Sequence, residues 1–149
     1  MADLDDQFRR EVLLPSPIDR VWAAITDPGE VNQWFGDLCS CERPEGAEGA
    51  MQWGEDAFRS RVVTVETPHR CVYRWVTPRD DPAVPFEAMP TTLVEFMLQS
   101  VDDGALLVLT ESGFAAHPED QREANYAANR GGWTEELGEL RVYLAAKGR

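Results

Sequence analysis

The chain has 149 residues, of which 43% are hydrophobic and 28% charged, and its formal net charge is −13. This length and composition are typical of one globular domain, so a single domain over residues 1–149 is predicted. Its 27 acidic residues outnumber 14 basic ones, which argues against a nucleic-acid partner, and no apolar run reaches the roughly 18 residues of a membrane span.

The first quarter of the chain predicts one strand and then two short helices. Apolar residues alternate over Gln7–Leu14, as in a half-buried strand. Ser16 is expected to cap a first helix with Pro17 at its first position, and Asp27 with Pro28 repeats this start signal for a second helix. The apolar residues of the two helices are Ile18, Val21, Trp22, Ile25, Val31, Trp34 and Phe35.

The middle of the chain has the two-residue period of β-strands. Strands are predicted at Arg59–Glu66, Cys71–Trp75, Thr92–Gln99 and Ala105–Glu111. Asp102-Asp103-Gly104 predicts a hairpin turn between the last two, because Gly adopts positive φ without steric cost. The Thr77–Pro90 segment holds four prolines, so neither a helix interior nor a central strand is expected there.

From about Pro118 the chain predicts one long helix rich in Glu, Ala and Leu. Its apolar stripe consists of Tyr126, Trp133, Leu137, Leu140 and Leu144. At 100° per residue, Arg130 is placed about 40° from the middle of that stripe, inside the inward-facing arc. Gly131-Gly132 are expected to allow close packing or a local kink. Strands and helices that are segregated along the chain indicate an α+β fold.

Four segments together resemble the Hsp90 ATPase activator-like proteins of the START-like superfamily. They are Val21–Asp37, Val62–Trp75, Leu107–Phe114 and Asn129–Leu144. The resemblance implies a helix-grip fold, in which a curved antiparallel sheet wraps around a long C-terminal α-helix, with two short helices after the first strand. It also implies a cavity between sheet and helix. It does not determine function, since a fold hosts many activities.

The cavity implied by this resemblance would be lined mainly by aromatic side chains. The candidate ligand-binding residues are Trp34, Phe35, Trp75, Phe86, Phe96, Phe114, Tyr126, Arg130 and Trp133. Aromatic residues also fill ordinary cores, which is the alternative interpretation. For Arg130, one alternative is that it binds the carboxylate or carbonyl of a ligand at the cavity mouth. The other is that its head group reaches the rim beside an acid.

No metal site or cofactor is predicted. Cys39 and Cys41 with Cys71, His69 and His117 lack the spacing of zinc ligands. Both imidazoles are therefore expected in solvent. The three cysteines form no disulfide framework, and the acidic N-terminus is unlike a signal peptide. Both features lead us to expect a cytoplasmic protein.

No catalytic set is predicted either, so the chain is not expected to be an enzyme. Ser112 lacks the flanking glycines of a nucleophile elbow. Glu111 could act as a general acid or base if it were buried, but it is expected to face solvent.

A small-molecule binding module is the leading functional hypothesis. Its apolar or amphipathic ligand would enter past the Thr77–Pro90 loop. One alternative is a chaperone-linked or regulatory domain that binds a protein through its acidic surface. The other alternative is an enzyme of the polyketide aromatase or cyclase type.

Overall fold

A computed structural model describes residues 6–35, 38–39, 45–46, 48–53, 56–77 and 79–147. The strands are β1 (Gln7–Leu14), β2 (Leu38–Cys39), β3 (Glu48–Trp53), β4 (Asp56–Glu66), β5 (Arg70–Val76), β6 (Thr91–Val101) and β7 (Gly104–Ser112). The helices are α1 (Ile18–Thr26), α2 (Pro28–Val31) and α3 (Glu119–Lys147), with short 3-10 turns at Phe86–Ala88 and Phe114–Ala116. None of the described helices is long and apolar enough to cross a membrane.

The strands form one curved antiparallel sheet in the order β1-β7-β6-β5-β4-β3-β2. Two short helices follow β1, and the long α3 comes last in the chain. The predicted α+β helix-grip fold is therefore confirmed. The four strands predicted from the two-residue period correspond to β4 to β7, and the predicted turn at residues 102–103 joins β6 to β7.

The start of α1 differs from the prediction by one residue. Pro17 occupies the N-cap position with extended dihedral angles, and no side chain caps the helix. Ser16 lies one residue before that position and is buried. The predicted start of α2 is confirmed, since the Asp27 carboxylate accepts a hydrogen bond of 3.0 Å from the Gly29 N–H.

The core lies between one face of the sheet and α3. On β7 every second residue is fully buried, namely Ala105, Leu107, Leu109 and Glu111. On α3 the predicted stripe is buried at Trp133, Leu137, Leu140 and Leu144, each at most 3% exposed. Burying a side chain of this kind stabilises the fold by roughly 1.5–3 kcal/mol, so this stripe is what holds α3 on the sheet.

The Pro-rich loop lies against the opposite face of the sheet. Ser60 and Val62 pair with the core residues Trp75 and Tyr73 of β5, so Arg61 between them points to the other face of the sheet. The Arg61 guanidinium stacks on the Phe86 ring, 4.6 Å from the ring centre. Phe86 therefore packs on the face away from α3, and its predicted place beside the ligand cavity is wrong.

The placement of Arg130 inside the inward-facing arc of α3 is also wrong, because this residue is exposed. The buried side of α3 extends beyond the apolar stripe to Asn125 and, in part, to Asn129, on the side away from Arg130. This moves the centre of the buried face away from Arg130. The helix runs without a break through Gly131 and Gly132, where an added Cβ would meet nothing within 4 Å. Neither glycine is needed for close packing or a kink.

Candidate functional site

A groove runs along one flank of α3, beside its apolar stripe. One wall consists of α3 residues at helical spacing: Gln121, Asn125, Ala128, Asn129, Gly132 and Glu136. The other wall comes from the segment after α2, from β5 and from the two ends of the Pro-rich loop. We call this feature the flank groove. Its two parts are a wide cleft of about 450 Å³ and a narrow cleft of about 160 Å³.

The narrow cleft is lined by three aromatic side chains. The rings of Phe35 and Trp133 stack with their centres 5.0 Å apart and their planes 11° from parallel. The Trp75 ring centre lies 5.9 Å from that of Trp133. Ala128 and Gly132 leave space on the helix side because they are small. A cavity of about 150 Å³ accepts benzene, so this cleft is large enough for one ring or one compact head group.

A buried carboxylate lies directly behind the aromatic rings. Glu111 is 0% exposed. Its Oε1 accepts a hydrogen bond of 2.9 Å from Trp133 Nε1. Its Oε2 accepts bonds from Trp75 Nε1 at 2.9 Å, from Asn129 Nδ2 at 3.0 Å and from Thr92 Oγ1. The expectation that Glu111 faces solvent is wrong, because its side chain lies on the inward face of β7.

This network connects three residues of the narrow cleft to one group. Trp75, Trp133 and Asn129 line the cleft, and each donates to the Glu111 carboxylate. Burial raises the pKa of Glu111, while the donated hydrogen bonds act in the opposite direction. No Lys or Arg pairs with it in the part of the chain that the structure describes. Glu111 therefore fixes the orientation of these three side chains.

The wide cleft is more polar and is centred on His117. His117 is 1% exposed, so the expectation of a solvated imidazole is wrong for it, whereas His69 is exposed as expected. Its Nδ1 lies 3.0 Å from Asn125 Nδ2. Burial lowers the pKa of His117, and the charge of Arg122 lowers it further, which favours the neutral imidazole.

The two clefts meet at a hydrogen-bonded pair. Thr77 lines the wide cleft and Asn129 the narrow one, and Asn129 Nδ2 lies 3.3 Å from Thr77 Oγ1. The remaining residues of the wide cleft are Arg79, Pro90, Pro118 and Gln121. The end of the Pro-rich loop thus borders the flank groove, at the side where ligand entry is predicted.

Glu136 is the charged residue among the described residues of the narrow cleft. It is half-buried, and it makes no hydrogen bond or ion pair within the described segments of the chain. Burial raises the pKa of Glu136 to about 7, and the nearby charges of Glu139 and Glu135 contribute to the increase. Its carboxyl group consequently changes charge near neutral pH.

Replacing Glu136 with Gln is expected to make the protein more stable than the parent at pH 8. Because the pKa of Glu136 is raised in the folded state, its protonated form contributes stability that is fully present below the unfolded-state pKa of about 4.5. This contribution is lost as pH rises through about 7, where the folded protein must carry the charged form. Allowing for solvent screening, the gain is on the order of 1 kcal/mol. Urea unfolding at pH 4 and pH 8 measures it. A gain of the same size at both pH values would contradict the raised pKa.

The other predicted aromatic residues are divided between two clusters. Phe96 packs edge-to-face on Trp133, with ring centres 5.7 Å apart, and forms the back of the narrow cleft's cluster. Trp34 contacts Phe35 and donates its indole N–H to the Ala24 carbonyl oxygen. Phe114 and Tyr126 form a second cluster with Phe8. Of the nine predicted site residues, only Phe35, Trp75 and Trp133 line the narrow cleft.

The α3 wall of the flank groove was missed from the sequence, apart from Trp133. Asn125, Asn129, Gly132 and Glu136 follow one another at spacings of three or four, immediately beside the apolar stripe. The edge of a surface helix ordinarily carries charged residues. Amides and a glycine at this edge are the signal that could have indicated the groove.

No group of three or more His, Cys, Asp or Glu residues is arranged to hold a metal ion within the described parts of the chain. Cys71 is buried. Cys41 and the side chain of Cys39 lie outside the described residues.

Comparison with known protein families identifies the family of this chain. The family model described as Activator of Hsp90 ATPase homolog 1-like protein matches residues 15–145. The chain belongs to this family. The match includes the flank groove and the Glu111 network. No curated protein matches the chain.

Solved structures similar to this family member share its fold. Protein MLL2253 from Mesorhizobium loti has 22% sequence identity and a TM-score of 0.80, with 96% of this chain and 99% of that chain covered. DynU16, from the dynemicin biosynthetic locus, has 29% identity and a TM-score of 0.76, with 97% of this chain and 49% of DynU16 covered. CalU16 from Micromonospora echinospora has 25% identity and a TM-score of 0.65, with 95% and 76% covered.

Proposed function

We propose that the chain is a small-molecule binding module whose apolar or amphipathic ligand lies in the flank groove. The observation that carries this proposal is the narrow cleft, whose two tryptophans and Asn129 are held by one buried carboxylate. Ligand sites are typically apolar concavities with a few convergent polar groups. Here the rings and Asn129 would contact one part of the ligand in the narrow cleft, and the polar groups of the wide cleft would contact the rest.

Binding is favoured over catalysis by the state of Glu111. Its two oxygens already accept hydrogen bonds from four side chains, so little acceptor capacity is left for a substrate. In addition, Glu111 is 0% exposed and is not among the residues that line the narrow cleft. We therefore propose that the chain is not an enzyme.

A cyclase-type enzyme is the second candidate. Glu111 is a buried carboxyl whose pKa is raised by burial, and such groups often serve as general acids or bases. Similarity to DynU16, from a biosynthetic locus, fits this candidate as well. Turnover of a polyketide by the parent protein, lost in Glu111→Gln while the substrate still binds, would favour the enzyme.

Replacing Gly132 with Leu is expected to block the narrow cleft. A side chain at this position has open space around its Cβ and would grow into the cleft, while Leu suits a helix better than Gly. We expect the affinity for a neutral aromatic probe, benzyl alcohol, to fall at least about tenfold, by loss of contact with one aromatic ring face. Titration followed by the indole N–H signals of Trp75 and Trp133 in NMR spectra measures this.

Gly131→Leu is the matched control. Gly131 is also exposed and its Cβ would also meet nothing within 4 Å, but it does not line the narrow cleft. Benzyl alcohol should shift the two indole signals in this variant as it does in the parent. If the probe shifts them equally in Gly132→Leu, the ligand site does not lie in the narrow cleft.

A further inference from the structure

We infer that the narrow cleft selects a positively charged head group, an amine or a quaternary ammonium, on its amphipathic ligand. This charge preference rests on the proposed function, because it concerns the same cleft. It adds the chemical class of the ligand, and it differs from the alternative in which Arg130 binds a ligand carboxylate or carbonyl.

The first argument is the unpaired carboxyl group in the cleft. Glu136 lines the cleft and has no hydrogen-bond or ion-pair partner in the described part of the chain. A half-buried carboxylate without a partner destabilises the fold, because it has lost hydrating water without gaining a hydrogen bond or an ion pair. A ligand cation beside it would provide the missing partner.

The second argument is the aromatic wall. Phe35, Trp75 and Trp133 contribute three rings to a cleft of about 160 Å³. Trp rings attract cations through their electron-rich faces, and quaternary ammonium ligands are commonly held by clustered aromatic side chains. The volume suits a compact head group better than a drug-sized molecule, which needs at least about 300 Å³.

The third argument is the sign of the surrounding charge. Among the described residues that line the narrow cleft there is no Lys or Arg. Arg79 lines the wide cleft, and Arg130 is exposed on another side of α3. Because the net charge of the chain is −13, an anion is repelled over a long range and a cation is attracted.

Binding of a cation should also release protons near neutral pH. Among the described residues, the charged groups that act on Glu136 are Glu135 and Glu139 from its own helix, and both disfavour its ionised form. Glu111, from β7, lies behind the aromatic rings, and the lining residues Phe35 and Trp75 carry no charge. A cation beside Glu136 lowers its pKa from about 7, so part of the population loses a proton on binding.

Three probes with the same ring and different charges test the inference. They are benzyltrimethylammonium, benzyl alcohol and phenylacetate, each titrated at pH 8 and followed by the indole N–H signals of Trp75 and Trp133. We expect the cation to bind about tenfold more tightly than the alcohol, as a partly desolvated cation–π contact with a carboxylate predicts. Phenylacetate should bind most weakly.

The matched pair of variants is Glu136→Gln and Glu123→Gln. Both remove one acid from α3, but Glu123 is exposed and does not line the cleft. The preference for the cation should disappear in Glu136→Gln and persist in Glu123→Gln. Calorimetry at pH 7 in buffers of different ionisation enthalpy should detect release of roughly half a proton per cation bound, only where Glu136 is present.

The outcomes separate the two proposals. If benzyl alcohol binds as tightly as the cation, or if Glu136→Gln keeps the preference, the charge inference is overturned while the proposed function stands. If none of the probes shifts the indole signals of the parent protein, both the proposed function and the inference are overturned.

Discussion

Replacing Trp133 with Ala is expected to lower the free energy of unfolding by about 3–5 kcal/mol. Trp133 is 2% exposed, stacks on Phe35 and packs edge-to-face with Phe96. Its indole N–H also donates to Glu111, which would lose one of its four donors. The large cost follows because the substitution opens a cavity and leaves a buried carboxylate oxygen without its partner. Urea unfolding followed by circular dichroism measures the change.

Val142→Ala is the control for this measurement. Val142 lies on the same helix but is 69% exposed, so its truncation should change stability by less than about 0.5 kcal/mol. A cost below about 1 kcal/mol for Trp133→Ala would mean that this ring contributes little to holding α3 on the sheet.

Most of the fold could be predicted because its elements carry their own local signals. β7 alternates strictly between buried and partly exposed positions, and α3 has apolar residues at every third or fourth position. Asp27 and Pro28 indicated the start of α2 correctly. Such patterns depend only on the period of the element, so they can be read without knowing what packs against it.

The buried polar residues could not be predicted in the same way. Glu111 is in phase with Leu107 and Leu109, so the period of β7 already placed it on the inward face. Glu111 was nevertheless expected to face solvent, because Glu residues are mostly exposed in folded proteins. Its partners Asn129 and Trp133 come 18 and 22 residues later in the chain. Whether a buried carboxylate is satisfied depends on such distant donors, which the strand alone does not reveal.

The candidate site was predicted only in part, for a related reason. Phe35, Trp75 and Trp133 were chosen as aromatic residues, and they do meet in the narrow cleft. The open space of this cleft comes from small residues on α3. Because small residues add few side-chain atoms, they produce no apolar pattern in the sequence. Arg130 was misplaced because the apolar stripe was taken as the whole buried face, although Asn125 and Asn129 extend it on the other side.

Removing the Glu111 side chain is expected to be as damaging as removing Trp133. Glu111→Ala leaves the donors of Trp75, Trp133, Asn129 and Thr92 without their acceptor and creates a cavity. Each buried donor left without an acceptor costs about 1–3 kcal/mol and the cavity adds to this, so a total of about 3–5 kcal/mol is expected. Urea unfolding at pH 7 measures the loss. A cost below about 1 kcal/mol would show that water replaces the carboxylate and that Glu111 positions nothing.

Glu111→Gln should be milder, with a cost of about 1–3 kcal/mol. The amide keeps the volume of the carboxylate and one acceptor oxygen. Its NH2 group, however, faces a hydrogen-bond donor at the place where the second oxygen of Glu111 accepts a hydrogen bond. Against this, the amide removes the cost of burying a charge, which is the cause of the raised pKa of Glu111. Glu11→Gln, on the exposed side of β1, removes the same charge and should leave stability within about 0.5 kcal/mol. In Glu111→Gln the indole N–H signals of Trp75 and Trp133 should both shift, because a positioning role requires that the two rings respond together to the loss of their shared acceptor.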